Sequence, residues 1–324
     1  MKHFPIYVIL IITIILVAGC DIFSSGNPQN PGLKGKHVTG IYANMEHIVV
    51  GTENYLFLSV DNGSSWRLVD TTSVRSDSTS GSLPPNNLGF IGHTTLFGSG
   101  SFIFAGVNNG LHGGILISTN NGRTWTERDT SFNKGVNCFT KINETVFAGT
   151  DHGVFLSSNN GKSWKAADIS GMSYQIHALA SLGTNLFAGT SFNGVYRSTN
   201  NGSSWSSVSR QIENMSIYSL SVIDSSLFAG TYSDPSAPLN GVLLSTDGGN
   251  SWKVVNGNTA GTLYPLGPDL FASISDKTYF STNDGNSWAL LDSVRANCFA
   301  TNNSYLFIGT NEGIKRYPLS LFNK

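Results

Sequence analysis

Seven positions along the chain place polar or aromatic side chains at one recurring register. Thr39, Thr94, Asn137, His177, Tyr218, Tyr264 and Asn297 each lie just inside the start of a short apolar run. Two tyrosines, a histidine and several amides and hydroxyls, gathered in one place, can hold a sugar, a peptide end or a small anion by stacking and hydrogen bonding. The competing reading is that they bond to one another or to water. Glu53, Asp151, His152, Asp234 and Glu312 fall in turns a little further along each unit. Glu53, Asp151, His152 and Glu312 are candidate binding residues of the loops beside the ring; the competing reading is that all five are turn-forming or solvated and need no function. A hydrolase acting on glycosides would require two carboxyls about 5–10 Å apart, for which Glu53 and Glu312 are the available pair. No spacing matches a metal motif, so no metal or other cofactor is expected.

The elements that must position these groups are written in two repeated phrases. The first is Ser-x-(Asp/Asn)-x-Gly-x-(Ser/Thr)-Trp, at 59–66, 118–125, 157–164, 198–205, 245–252 and 281–288, and it contains every tryptophan of the chain: Trp66, Trp125, Trp164, Trp205, Trp252 and Trp288. Asx followed two residues on by Gly is turn chemistry, because the Asx side chain bonds nearby backbone and Gly accepts positive φ. The second phrase is Phe-Ala-Gly-Thr or a close variant. It begins at Val49, Phe104, Phe147, Phe187, Phe228, Phe271 and Phe307, giving seven copies against six boxes. A further apolar stretch lies roughly ten residues before each copy. Each unit thus predicts four antiparallel strands, and about forty residues per unit is the period of a propeller blade. The expectation is an all-β, seven-bladed β-propeller over 37–324. Its last blade lacks a box, and is either incomplete or closed by the segment just before His37. Phe is expected to fill one blade interface and Gly to permit close approach across the other.

The boxes resemble the Asp-box, or BNR, repeat of sialidases, sortilin-type receptor domains, some xyloglucan hydrolases and photosystem II assembly factors. The resemblance spans roughly residues 37–317 and implies a propeller in which the box is structural. Asp61 and Asp247 keep the family's aspartate, whereas Asn120, Asn159, Asn200 and Asn283 replace it. Sialidases bind a substrate carboxylate with three arginines and use a tyrosine nucleophile backed by glutamate; no such arrangement stands out here, and Arg67 and Arg123 belong to the box side. The assembly-factor and sortilin resemblances imply protein or peptide capture. Chain direction puts the box turns on one face. The loops between strands two and three share the other face with the crossings between blades, including the long insertions at 71–92, 108–114 and 232–240. That variable face is the expected binding surface.

The N-terminus speaks for location. Lys2 and His3 precede an apolar run over 4–18 that ends in Leu16-Val17-Ala18-Gly19-Cys20, resembling a bacterial lipobox. Residues 1–19 read as a lipoprotein signal peptide, Cys20 as the lipidated residue, and 20–36 as a flexible polar tether. The alternative is an uncleaved anchor. Both place the ring outside the cytoplasm at a membrane of the cell envelope. A net charge of −1 argues against nucleic acid as partner. The expected partner is a protein or glycan, with the chain a monomer. Cys138 and Cys298, in blades three and seven, are too far apart for a disulfide and read as small buried fillers.

Overall fold

The computed structural model describes residues 33–45, 47–53, 55–69, 93–108, 113–127, 132, 134–167, 174–231 and 239–322. Among them, seven antiparallel sheets follow one another along the chain. Six have four strands, within 38–68, 93–127, 136–166, 176–207, 217–256 and 260–292, and the seventh has three, within 298–318. Every sheet pairs its strands in sequence order. The outer strand, where present, runs for only two to four residues directly after the box tryptophan, as at Arg67–Leu68 and Lys253–Asn256. No helix among the described residues is long and apolar enough to cross a membrane.

The second strand is the spine of each blade. In Thr145–Thr150 five successive residues are buried, as a strand sandwiched between neighbouring sheets must be. The interface chemistry differs from the expectation in one respect. Because strand side chains alternate, Phe and Gly two residues apart share a face, and both look toward the following blade. Phe104 meets Trp164 edge-on at 6.3 Å, and a Cβ on Gly106 would lie 2.5 Å from Val136. Gly149 meets Ile176, Gly189 meets Ile217 and Gly309 meets Val38 in the same way. Ala105 faces back, clustering with Val49 and Leu58 of blade one. Blades two, three, four and seven therefore each receive from the following blade a tryptophan over the Phe and a β-branched residue over the Gly.

The box turns explain their own sequence. In the first, Ser59 Oγ donates to Asp61 Oδ1 (2.7 Å) and accepts from Gly63 N (2.8 Å), while Asp61 Oδ1 accepts from Ser65 N (2.8 Å). Where Asp is present, the hydroxyl at the seventh position donates to it, as Ser251 does to Asp247 (2.6 Å). Where Asn replaces it, the amide donates to the hydroxyl instead: Asn120 to Thr124, Asn159 to Ser163, Asn200 to Ser204, Asn283 to Ser287 (2.8–3.0 Å). The hydroxyl simply reverses its role. The fourth position is also constrained. Asn62, Asn121, Asn160, Asn201, Gly248 and Asp284 all have φ between 55° and 69°, the left-handed region that Gly, Asn and Asp tolerate best.

Blade seven closes the ring. Its outer strand is missing among the described residues, and the described part of the segment before His37 forms a turn at 33–36, where Gly35 N–H donates to Glu312 O (3.0 Å). A short 3-10 helix, Leu319–Leu321, follows the third strand and brings Phe322 edge-on to Phe271 at 5.0 Å, the place a box tryptophan takes in the other interfaces. Blades seven and one are joined by Asn297 Nδ2 to Val38 O (3.1 Å), Asn302 Nδ2 to Asn62 Oδ1 (2.7 Å) and Arg316 Nη1 to Asn62 O (2.6 Å), with Trp66 packed in the cluster around Phe307. Cys138 and Cys298 are free thiols, pushed up to about 12 by burial.

Candidate functional site at the channel mouth

Most innermost strands begin with a β-bulge, and the bulge is what turns a side chain into the axial channel. Pairing skips a residue at Thr39, Asn137, His177 and Tyr218. An extra residue unpaired by the ladder is re-aimed in this way. Two connected cavities, of about 670 and 510 Å³, open there, and Thr39, His93, Tyr218, Thr262 and Asn297 line both. Asn137, His177 and Tyr264 line the smaller one. Six of the seven register positions thus line the hollow, five of them at its mouth and Tyr264 on its wall.

Two are placed differently. Blade two has no bulge, so Thr94 takes the interface position, where its methyl sits 2.7 Å from a Cβ built on Gly51, and its N–H donates to Thr39 Oγ1 at 3.0 Å. His93 stands at the mouth in its stead. In blade six two residues, Gly261 and Thr262, fall in the irregularity between Ala260 and Leu263. Tyr264 pairs with Phe271 further along the strand, stacks on Phe299 at 5.7 Å and hydrogen-bonds Thr301 Oγ1 at 2.8 Å. It is a wall residue clamping blades six and seven. Burial raises its phenol above the ordinary value, outweighing the bond to Thr301.

The loops between strands two and three do share this face, because their side chains bond to the mouth residues. Asn108 Nδ2 donates to Asn137 Oδ1 (2.7 Å), and Asn137 Nδ2 donates to Asp151 Oδ1 (2.9 Å) and Ile176 O (3.0 Å). Gln175 Nε2 also reaches Asp151 Oδ1 (2.8 Å), and Ser191 Oγ donates to Gln175 Oε1 (3.3 Å) while meeting His177 Nε2 at 2.7 Å. The His177 ring stacks on Tyr218, centroids 4.7 Å apart. One polar chain therefore runs from blade two to blade five. Desolvation lowers the His177 pKa, with the Asp151 charge opposing it.

On the other arc, Asn297 Nδ2 also donates to Asn311 Oδ1 (2.8 Å), and Thr262 Oγ1 donates to Asn297 O (2.9 Å). Glu53 Oε1 is held by His37 Nδ1 at 2.9 Å and Arg295 approaches Asp276 at 3.6 Å. His93 is open to the cavity yet enclosed by protein, and that desolvation, with repulsion from His37, lowers its pKa. His152 and Glu312 are exposed, each contributing a backbone N–H to a turn threonine, Thr150 and Thr310. Among the described residues no group of three or more His, Cys, Asp or Glu is placed to hold a metal ion. The insertions at 71–92, 109–112 and 232–238, with Asp234, lie outside the described residues, as do the signal segment and Cys20. Sequence reasoning missed His37, His93, Gln175, Thr262 and Arg295 at the mouth. A bulge of variable length carries no sequence mark by which they are found.

No protein-family model matches the chain, and no curated protein matches it in sequence. Solved structures do match in shape. YCF48 bound to D1 peptide superposes with a TM-score of 0.64 at 14% identity, covering 91% of this chain and 98% of that one. The extracellular domain of a protein of B. thetaiotaomicron, described as a one-component system, gives 0.65 at 16% identity, over 88% of this chain and 40% of that one. PorZ, a surface component of the type-IX secretion system of Porphyromonas gingivalis, gives 0.64 at 11%, over 88% and 37%. The chain thus spans about two fifths of the length of the last two. At such identities the likeness is one of fold, and what these structures share with the chain is the propeller.

Proposed function

We propose that the protein is a membrane-anchored, extracytoplasmic binding scaffold that engages a protein or glycan partner through the variable-loop face around the channel mouth. The observation that carries this reading is the mouth itself. Bulges turn Asn137, His177 and Tyr218 inward, and loop residues from Asn108 to Ser191 lock them into one bonded array beside two open cavities. Pre-organised polar groups that converge on a concave hollow are what fixes a ligand's orientation in a binding site. Asp151, His152, Glu53 and Glu312 sit in the loops that rim it.

The anchor reading rests on the lipobox-like sequence ending at Cys20, with 1–19 as signal peptide and 20–36 as tether. The surface location of PorZ and the extracellular domain from B. thetaiotaomicron accord with it. The peptide bound to YCF48 accords with a protein partner. The boxes, with Asp61 and Asp247 among them, support membership of the Asp-box repeat group. The alternative, a glycoside hydrolase at the channel mouth, would need Glu53 freed from His37.

Plugging the hollow tests the function directly. Gly261 lines the larger cavity, and a side chain there first meets only the movable Arg295 guanidinium, at 3.3 Å. Capture from envelope membranes with the wild-type protein and with Gly261→Trp should enrich a component that the variant loses. Identical capture by both overturns the assignment of the mouth.

A further inference from the structure

One residue at this rim departs from ordinary backbone chemistry. Among the described residues, ten other than glycine have positive φ, and nine of them are Asn, Asp or Ser; the tenth is Phe192, at φ 61°. A bulky side chain in the left-handed region is strained, and strain of this kind persists only where surrounding contacts impose it. Those contacts are present. Ser191 N–H donates to Gln175 O (3.1 Å), Phe192 N–H to Ser216 Oγ (3.2 Å), and Gly194 N–H to Met215 O (2.8 Å). The loop is pinned to the starts of the innermost strands of blades four and five. In return for the strain the ring gains no burial, for Phe192 is 73% exposed. A lone exposed apolar side chain is unremarkable in a protein surface, but one held out by strained backbone is not.

Its surroundings specify a ligand. Ser191, the preceding residue, holds the His177 ring that stacks under Tyr218, and Ser216 lies two residues from Tyr218. Tyr218 is 44% exposed and lines both cavities. Gln175, Asn137, Thr262 and Asn297 offer neutral donors and acceptors beside it. Among the described residues that line the hollow, the one guanidinium, Arg295, faces Asp276 and there is no lysine, so a carboxylate or phosphate finds no unmatched Lys or Arg there. Exposed aromatic faces next to neutral amides and hydroxyls suit a ring with C–H faces and many hydroxyl groups. We propose that Phe192 and Tyr218 form a stacking platform for the sugar rings of a neutral oligosaccharide, whose hydroxyls are read by Gln175, Asn137 and the threonines of the mouth.

This deepens the binding-scaffold reading and rests on it. The test is calorimetric titration of the purified protein with short neutral oligosaccharides of glucose, xylose, mannose and galactose. At least one series should bind with a submillimolar Kd. Phe192→Gly should weaken that series by about tenfold, the scale of one lost stacking contact, while its thermal unfolding stays level or improves because glycine relieves the strained φ. Phe192→Trp should retain binding. The proposal is overturned if no series binds at millimolar concentration, or if Phe192→Gly binds as wild type. Should the Gly261→Trp comparison still reveal a captured protein while every sugar fails, the scaffold reading stands and the glycan platform falls.

Discussion

The two faces of this ring use the same repeat in opposite ways. On the box face, six turns of nearly one sequence repeat one geometry, and the first serine and the Asx of each box are consumed by their own turn. On the mouth face, the equivalent blades differ in bulge length, in loop length and in the residue turned inward, and the side chains bond across blade boundaries. Asp61 and Asp247 serve residues within four positions of themselves. Asp151 instead gathers Asn137 and Gln175 from two blades. Self-satisfied turns can be copied around a ring without regard to their neighbours, whereas a cross-blade array exists only once. The copied face holds the structure, and the single array is where recognition has room to develop.

The comparison is broken most forcefully at the spine that both faces share. Phe147→Ala empties a fully buried site between blades three and four, and should cost about 3–5 kcal/mol in denaturant unfolding. On the box face, Ser198→Ala removes the acceptor of the buried Gly202 N–H (2.9 Å) and the donor to Asn200 Oδ1. A loss of about 1–3 kcal/mol is expected, against less than about 0.5 kcal/mol for the exposed Gln175→Ala at the mouth. Equal losses at the two sites would dissolve the distinction between faces.

The finest test sets an Asp box against an Asn box. Hydrogen bonds from Ser251, chiefly its hydroxyl, hold Asp247 down to about 2 from 3.8. A depressed carboxyl stabilises the fold above the unfolded value, and the contribution is lost as pH falls from about 4 through 2. Asp247→Asn should therefore unfold at the wild-type temperature at pH 7, since four boxes already use Asn. It should lose less than wild type between pH 4 and 2. Parallel acid profiles for the two proteins would show that Asp247 carries no such linkage.

Much of the fold is legible because its rules are local. The Asx-x-Gly turn, the Trp that follows and the Phe-Ala-Gly-Thr spine each announce one strand or link, and together they count seven blades. The fourth box position was equally visible, as Asn, Gly or Asp in all six copies, and its meaning is the left-handed φ. The mouth was harder. Asn137, His177, Tyr218 and Asn297 are found by counting from the first apolar residue, but that count fails where the bulge changes length. It misplaces Tyr264 by ignoring Gly261 and Thr262, and puts Thr94 where His93 belongs. The direction of Phe and Gly was misjudged for a simpler reason, since residues two apart on a strand share a side. Phe192 gives no sequence signal at all; its strain arises from pins supplied by Met215 and Ser216 of the next blade.

The seam between the last blade and the first has a bearing on how the molecule is made. Asn297 clasps the carbonyl of Val38 across 259 positions, and Arg316 reaches Asn62 across 254. Pairings so distant in the chain are slow to form. Synthesis delivers residue 38 long before its clasp exists, so the first wedge must wait, one flank bare, until the strands of the seventh blade have emerged. Completion of the circle is a single late event, and helpers that shield a newborn chain would find their target on blade one.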